Sequence, residues 1–442
     1  MPELAANSQP AEEPVLTARL LHGGILAVSR GAGVAAQMGV QIVVGALAGP
    51  SGIGVLQLHM AWGTLLGEVV GAGEPTRALR DQAVHHRNGD RTSVVSALRG
   101  SAKHIVRYSA MLLVLALLVS LTPLQNAFNV SSGPLLLSIV LSAPLFALTR
   151  LLAESLKATE QALWAVTLEN TIMPVTILLL CGAIALGVFS VSSALLLAGA
   201  VAGLLLALLS LTAVLAKTLS TEPTERTTED EIRPLRRSGE LAHFWLNGLF
   251  NIAFLQLPFL LMPFMMSADQ IGRYAVAHKL VNIITTLLIL LAAIYGPRFA
   301  RAAAEQNAAC LRRLLAETQW VSLALFLPTI LAMIILINPL TALFSLDPGT
   351  LLPLLALLGV GQLCNAATGL SGVLLNMSGA AHVEMRLLLV TTMLTVAGSV
   401  PLGLSYGVHG IAVGIAAGIA TRNAASYIAA RRHIKNLGLE HS

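Results

Sequence analysis

Apolar runs of roughly 20 to 30 residues, separated by short polar connections, fill the chain from residue 21 to residue 430. Each is long enough to cross a bilayer as a helix at about 1.5 Å per residue. They lie at 21–47, 53–73, 104–124, 134–157, 161–187, 191–217, 239–266, 270–297, 316–338, 349–377, 384–406 and 409–430. The pattern predicts an all-α integral membrane protein with about twelve transmembrane helices. A lone span must be helical, because hydrocarbon offers no partner to a free backbone N–H or C=O.

Composition agrees. Of 442 residues, 55% are hydrophobic and 11% charged, against roughly 25% charged in soluble domains. The mean hydropathy is +0.77. The net charge of +5 does not point to nucleic acid, because Lys and Arg fall mostly in connections between spans, where they set topology. The connection 74–103 carries Arg77, Arg80, Arg87, Arg91, Arg99 and Lys103. Arg226, Arg233, Arg236 and Arg237 follow the sixth span, and Arg298, Arg301, Arg312 and Arg313 follow the eighth. Arg431, Arg432 and Lys435 end the chain. The connections 48–52, 123–133, 187–191, 347–350 and 406–408 carry no Lys or Arg, with Arg273 the exception on that side. Even-numbered connections and both termini are therefore expected in the cytoplasm. The polar start of the chain lacks the basic and apolar regions of a cleaved signal peptide. Cys181, Cys310 and Cys364 are too scattered to suggest a disulfide framework or a metal site.

The chain also repeats itself. Ile53-Gly54 opens the second span and Ile271-Gly272 the eighth. The stretch around Gly89-Asp90 has a counterpart at Gln306-Asn307, and LLAESLKATEQ from Leu151 has one in LSGVLLNMSGA from Leu370. The offset stays at 217 to 219 residues, about half the chain. An even number of spans per half gives both halves one orientation. The expected architecture is two six-helix lobes, 21–217 and 239–430, related by an axis along the membrane normal around a central cavity. A cytoplasmic tail at 1–20, a linker at 218–238 and a tail at 431–442 complete the plan.

Polar residues inside spans are costly and mark candidate sites. The stretch 269–301 carries His278 and Lys279 side by side. Lys279 lies roughly 13 Å into its span, near the midplane and too deep for easy snorkelling. It requires an anionic partner, water or an anionic substrate. His278 points about 100° away and reads as structural. Span one places Arg30, Gln37 and Gln41 on one helical face, and span seven carries Asn247, Asn251 and Gln256, with Gln256 219 residues after Gln37. These stripes suit a cavity wall, or hydrogen bonds between helices. Arg150, Glu154 and Lys157 lie at i, i+4 and i+7 of span four; they read as a self-paired ladder near the cytoplasmic end, or as a cavity-facing Arg150, the deepest, that Glu154 orients. Glu68 and Glu169 are membrane carboxylates that could carry a coupled ion. His382, Glu384 and Arg386 flank a short connection and read as interfacial.

No phosphate-binding Gly-rich loop, metal cluster or nucleophile–base set stands out, so neither ATP hydrolysis, a cofactor nor an enzyme activity is expected. LAGPSGIGVLQL, DQIGRYAVAHKL, YGPRFARAAAEQN and RNGDRTSVVSALRGSAK resemble the polysaccharide-transporter branch of the multidrug/oligosaccharidyl-lipid/polysaccharide exporter superfamily. The resemblance implies two lobes forming a V and export or flipping of an undecaprenyl-pyrophosphate-linked oligosaccharide across a bacterial inner membrane. It implies the lipid-linked glycan as partner, with a polysaccharide polymerase or glycosyltransferases alongside. Lipid II flippases of that superfamily hold pyrophosphate with cavity arginines. Lys279 is similar in placement to one of them, and Arg30 is a looser match. Twelve spans rather than fourteen argue against lipid II itself.

The expected function is thus a flippase in which Lys279, Arg30 and Arg150 neutralise the pyrophosphate, while Gln37, Gln41, Asn247, Asn251 and Gln256 meet sugar hydroxyls. Glu68 and Glu169 are the coupling candidates. A cation-coupled multidrug antiporter is the rival, and it would want acids where span one offers Arg30. The polar spans and the repeat argue against a passive scaffold.

Overall fold

The computed structural model describes residues 13–87, 90–122, 129–130, 133–221 and 240–439. Its regular elements are helices: α1 (Glu13–Gly71), α2 (Glu74–Arg87), α3 (Arg91–Ser120), α4 (Gly133–Ala158), α5 (Ala162–Ala185), α6 (Ser193–Thr221), α7 (Glu240–Leu261), α8 (Ala268–Ala304), α9 (Ala308–Ile335), α10 (Ile337–Leu343), α11 (Pro348–Thr368), α12 (Ser371–Met377) and α13 (Ala381–Leu439). Nine of them are long and apolar enough to cross a membrane among the described residues. Residues 1–12 of the expected N-terminal tail and most of the 218–238 linker lie outside the described residues, as does the side chain of Asn247, while 13–20 belong to α1.

Several connections expected to be loops are helical. α2 occupies the first half of the basic 74–103 stretch, and α3 starts at Arg91 rather than at residue 104. Asp90 caps α3, accepting from the Ser93 amide at 3.0 Å and the Thr92 hydroxyl at 2.7 Å. A satisfied N-terminus lets the helix begin well before its apolar stretch. α8 continues through Pro297 to Ala304, and three residues separate it from α9. Two joints are tighter than expected. α1 turns at Gly49 (φ 66), before Pro50, and α13 at Gly407 (φ 59), so each contains two spans with almost no loop. Only glycine takes that backbone conformation without a steric penalty.

Helix contacts fall into two sets. α1 to α6 pack mainly on one another, and so do α7 to α13, with α1–α7 and α1–α8 as the principal crossings. α3 is peripheral: Met111, Leu113 and Leu117 are each more than half exposed, which suits a lipid-facing helix. Within the first bundle, His59 Nδ1 meets Ser138 Oγ at 3.0 Å and joins α1 to α4.

Positions one offset apart do similar jobs. Asn307 caps α9 by accepting from the Cys310 amide at 2.9 Å, as Asp90 caps α3. Glu160 after α4 and Gly379 after α12 both have positive φ. The closest crossing is also reciprocal. A methyl group on Gly54 would strike the Ala268 carbonyl oxygen, and one on Gly272 would strike the Pro50 carbonyl oxygen. Pro50 and Ala268 are themselves 218 residues apart, as Gly54 and Gly272 are. Two glycines thus bring α1 and α8 into backbone contact at the end of the molecule where connections lack Lys and Arg. Arg273, the basic exception there, is paired with Asp269 at 2.7 Å.

Candidate functional site

Three cavities follow one another through the centre. The smallest, about 140 Å³, lies between the bundles. Gln37, Gln41 and Gln57 of α1, Gln256 of α7 and Lys279 of α8 supply its polar wall. Lys279 Nζ donates to Gln37 Oε1 at 2.6 Å across the bundle boundary. The Gln41 side-chain carbonyl oxygen is buried and accepts no hydrogen bond among the described residues. Gln37 and Gln256, one offset apart, therefore share this cavity. The offset pairs Lys279 with Ala61, which is buried, so the cation belongs to one half alone.

A second cavity, about 540 Å³, opens in the first bundle toward the end where Arg and Lys are concentrated. Arg30, Gln37, Glu68, Arg150, Glu154, Lys157, Glu169 and Asn170 line it. Gln37 thus belongs to both cavities. Arg150 donates to Glu68, and Lys157 donates to Glu154 at 2.9 Å. This corrects the ladder expected within α4: Glu68 of α1, not Glu154, orients Arg150. Arg30 and Glu169 have no ion-pair partner among the described residues. Glu68 also abuts Gly248 of α7, where any larger residue would collide with its carboxylate.

The third cavity, about 510 Å³, lies in the second bundle. Ile252 and Leu255 of α7 line both larger cavities, so α7 is their shared wall. Asn251 and His278 face this third space. The His278 ring stacks on Tyr274 at 5.8 Å and stands edge-on to Phe259 at 5.2 Å, with Asn282 Nδ2 at 3.3 Å. Glu384 is not interfacial as expected. It is buried, accepts from Ser426 Oγ at 2.7 Å and pairs with Arg422 at 3.3 Å. The long α13 causes this, because its sharp turn at Gly407 brings its two segments side by side.

The structure therefore groups Lys279, Gln37, Gln41 and Gln256, sets Arg30, Arg150, Glu68 and Glu169 in the adjoining cavity, and puts Asn251 in the third. Sequence reasoning missed Gln57, Asn282, Gln362, Asn365, Asn376, Arg422 and Asn423. Their signal was amides at helical spacing in apolar spans, as in Gln362 and Asn365.

The fold is shared with solved transporters. The chain is 13% identical to a multidrug-resistance MATE family transporter of the MOP superfamily in its inward-facing conformation, with TM-score 0.70 over 94% of this chain and 100% of that one. An outward-facing conformation of such a transporter matches with TM-score 0.60 at 13% identity, over 94% of this chain and 96% of that one. The lipid II flippase MurJ in an inward closed conformation matches with TM-score 0.58 at 12% identity, over 95% of this chain and 90% of that one. No curated protein matches the chain in sequence. Residues 108–346 match the polysaccharide biosynthesis protein family. This multi-pass membrane protein, with the fold of the MOP superfamily transporters, belongs to the polysaccharide biosynthesis protein family.

Proposed function

We propose that this protein flips a polyprenyl-pyrophosphate-linked oligosaccharide from the cytoplasmic to the periplasmic leaflet of a bacterial inner membrane, by alternating access. The carrying observation is Lys279, held by Gln37 on the bundle boundary at the head of the larger cavities. A pyrophosphate is the main barrier to moving such a lipid through hydrocarbon, and a fixed ammonium beside neutral amides lowers that barrier. Family membership supports the glycan.

In this reading the nine long helices, two of them divided at a glycine, and α7 make twelve spans in two six-helix lobes, 21–217 and 239–430. The basic end is cytoplasmic, as are both termini. The Gly54–Gly272 seam closes the periplasmic end. Arg30 and Gln37 are about 10 Å apart along α1. Arg30 and Lys279 are therefore successive stations for the phosphates, Arg30 nearer the entrance. Arg150, engaged by Glu68, is secondary. The lipid tail stays between the lobes in the bilayer. A polymerase or glycosyltransferases would supply and consume the glycan.

One observation favours coupling to a cation gradient, and equally a drug antiporter: Glu169 lines the cavity with no ion-pair partner among the described residues. Glu68, tied to Arg150, is the lesser candidate. Proteoliposomes holding the purified protein separate the readings. A fluorescent polyprenyl-pyrophosphate disaccharide should change leaflet in a protein-dependent way, and an organic cation dye should not. The reverse result would replace the flippase by the antiporter.

A further inference from the structure

The third cavity offers no unpaired Lys or Arg among its described lining residues. Its polar wall consists mainly of side-chain amides: Asn251, Asn282, Gln362, Asn365, Asn376 and Asn423. Its ionisable side chains are His278, Glu384 and Arg422, and the last two neutralise each other. Arg422 is further occupied by the Phe254 ring, 4.7 Å from its guanidinium carbon. The Glu384 carboxylate is backed by Gly372 and accepts from Ser426. The charges therefore tie the two segments of α13 to each other, with α12 packed close at Gly372, and the amides face the space.

Amides of this kind carry donors and acceptors in one plane. Asn365 Nδ2 donates to Gln362 Oε1 at 2.9 Å, leaving the Asn365 carbonyl and the Gln362 amide hydrogens for other partners. Asn423 spends one hydrogen on the Ile419 carbonyl at 2.8 Å and keeps its own oxygen. Sugar hydroxyls, each donor and acceptor at once, are the neutral groups that such a wall matches. A site that hydrogen-bonds hydroxyls also discriminates strongly against ligands lacking them. The volume, about 510 Å³, falls within the roughly 300–1,000 Å³ of small-molecule sites. The charged first-bundle cavity lies on the other side of α7.

We propose that the amide-lined cavity of the second bundle is the binding site for the neutral sugars of the substrate, so that separate cavities divide one ligand: phosphates beside Lys279 and Arg30, glycan against Asn365, Asn376 and Asn423. This rests on the flippase reading above. The experiment measures binding in lipid nanodiscs of two probes, undecaprenyl pyrophosphate alone and the same lipid carrying a neutral N-acetylhexosamine disaccharide. The wild type should bind the disaccharide probe about tenfold tighter or more, as a few net hydrogen bonds supply. The double variant N376A/N423A should lose that margin while binding the bare lipid within about twofold of wild type. Asn376 is exposed, and Asn423 bonds within its own helix, so retained binding of the bare lipid also reports an intact fold. A wild type with no margin, a variant that keeps it, or a variant that loses both probes equally would overturn the subsite. A wild type that binds neither probe would overturn the flippase reading, and the subsite with it.

Discussion

The role proposed for Lys279 combines two demands that hydrocarbon normally sets apart, a full charge and deep placement. Gln37 reconciles them by offering a neutral acceptor at 2.6 Å, which satisfies one donor without cancelling the charge. Gln37→Leu should therefore weaken binding of a polyprenyl pyrophosphate several-fold while leaving the fold intact, as read by ligand binding and thermal unfolding. The Glu68–Arg150 pair behaves differently. Glu68 is 7% exposed, and removing one partner of a buried pair leaves an uncompensated charge that costs about 3–5 kcal/mol at full burial. Arg150 is about a third exposed, so the loss should sit below that range. Glu68→Gln alone should lower the unfolding temperature more than Glu68→Gln combined with Arg150→Met. Equal losses would remove the pair from the account. Asp90 lies outside the spans. Hydrogen bonds from the Ser93 side chain and amide and from Thr92 pull its carboxyl down to about 2. A depressed acid stabilises the fold above its unfolded value near ~3.9 and loses that contribution as pH falls toward 2. Amide exchange at the start of α3, corrected for intrinsic rates, should rise between about pH 4 and 2, and Asp90→Ala should show the raised level throughout. That Lys279 lies well inside an apolar helix was legible from residue count alone. Its acceptor was not, because Gln37 lies 242 residues away in sequence.

Among elements, the crossing of α1 and α8 controls the geometry. Backbone contact at Gly54 and Gly272 leaves no room for a side chain. Gly54→Val and Gly272→Val should each hold the bundles apart at that end. Spin labels on the two bundle tips should then report a longer distance, and transport should fall. An unchanged distance would show that the seam is not the closure. The motif itself was readable, since Ile-Gly recurs at 53 and 271. That the two copies touch was not, because a repeat announces equivalence and not proximity. Helix ends were least legible. The basic stretches before α3 and around 298–313 look like loops by hydropathy, yet caps at Asp90 and Asn307 extend helices into them. Glu384 was misplaced for a related reason: its partner Arg422 lies beyond the sharp turn at Gly407, in the next span.

At the scale of the molecule, a charged cavity and an amide cavity flank α7, and a lysine stands between the bundles in a small cavity that adjoins the charged one. Hydropathy alone carried the all-helical membrane class, and the polar residues of the first, seventh and eighth spans pointed to the interior. The sorting of those residues into separate compartments depends on how bundles lean together, which no linear pattern encodes. For the proposed lipid-linked glycan the sorting matters, because phosphates, sugars and tail would need three environments during one crossing. The proposed flipping turns on Lys279 lowering the barrier for the phosphates. Its test is the rate at which a fluorescent polyprenyl-pyrophosphate disaccharide changes leaflet in proteoliposomes, comparing wild type with Lys279→Ala, Arg30→Ala and the double variant. Lys279→Ala should slow that rate roughly 10- to 100-fold, as loss of a charge-assisted contact of about 1.5–3 kcal/mol gives. Arg30→Ala should slow the rate less, and the double variant more than either. Wild-type rates in both single variants would contradict it.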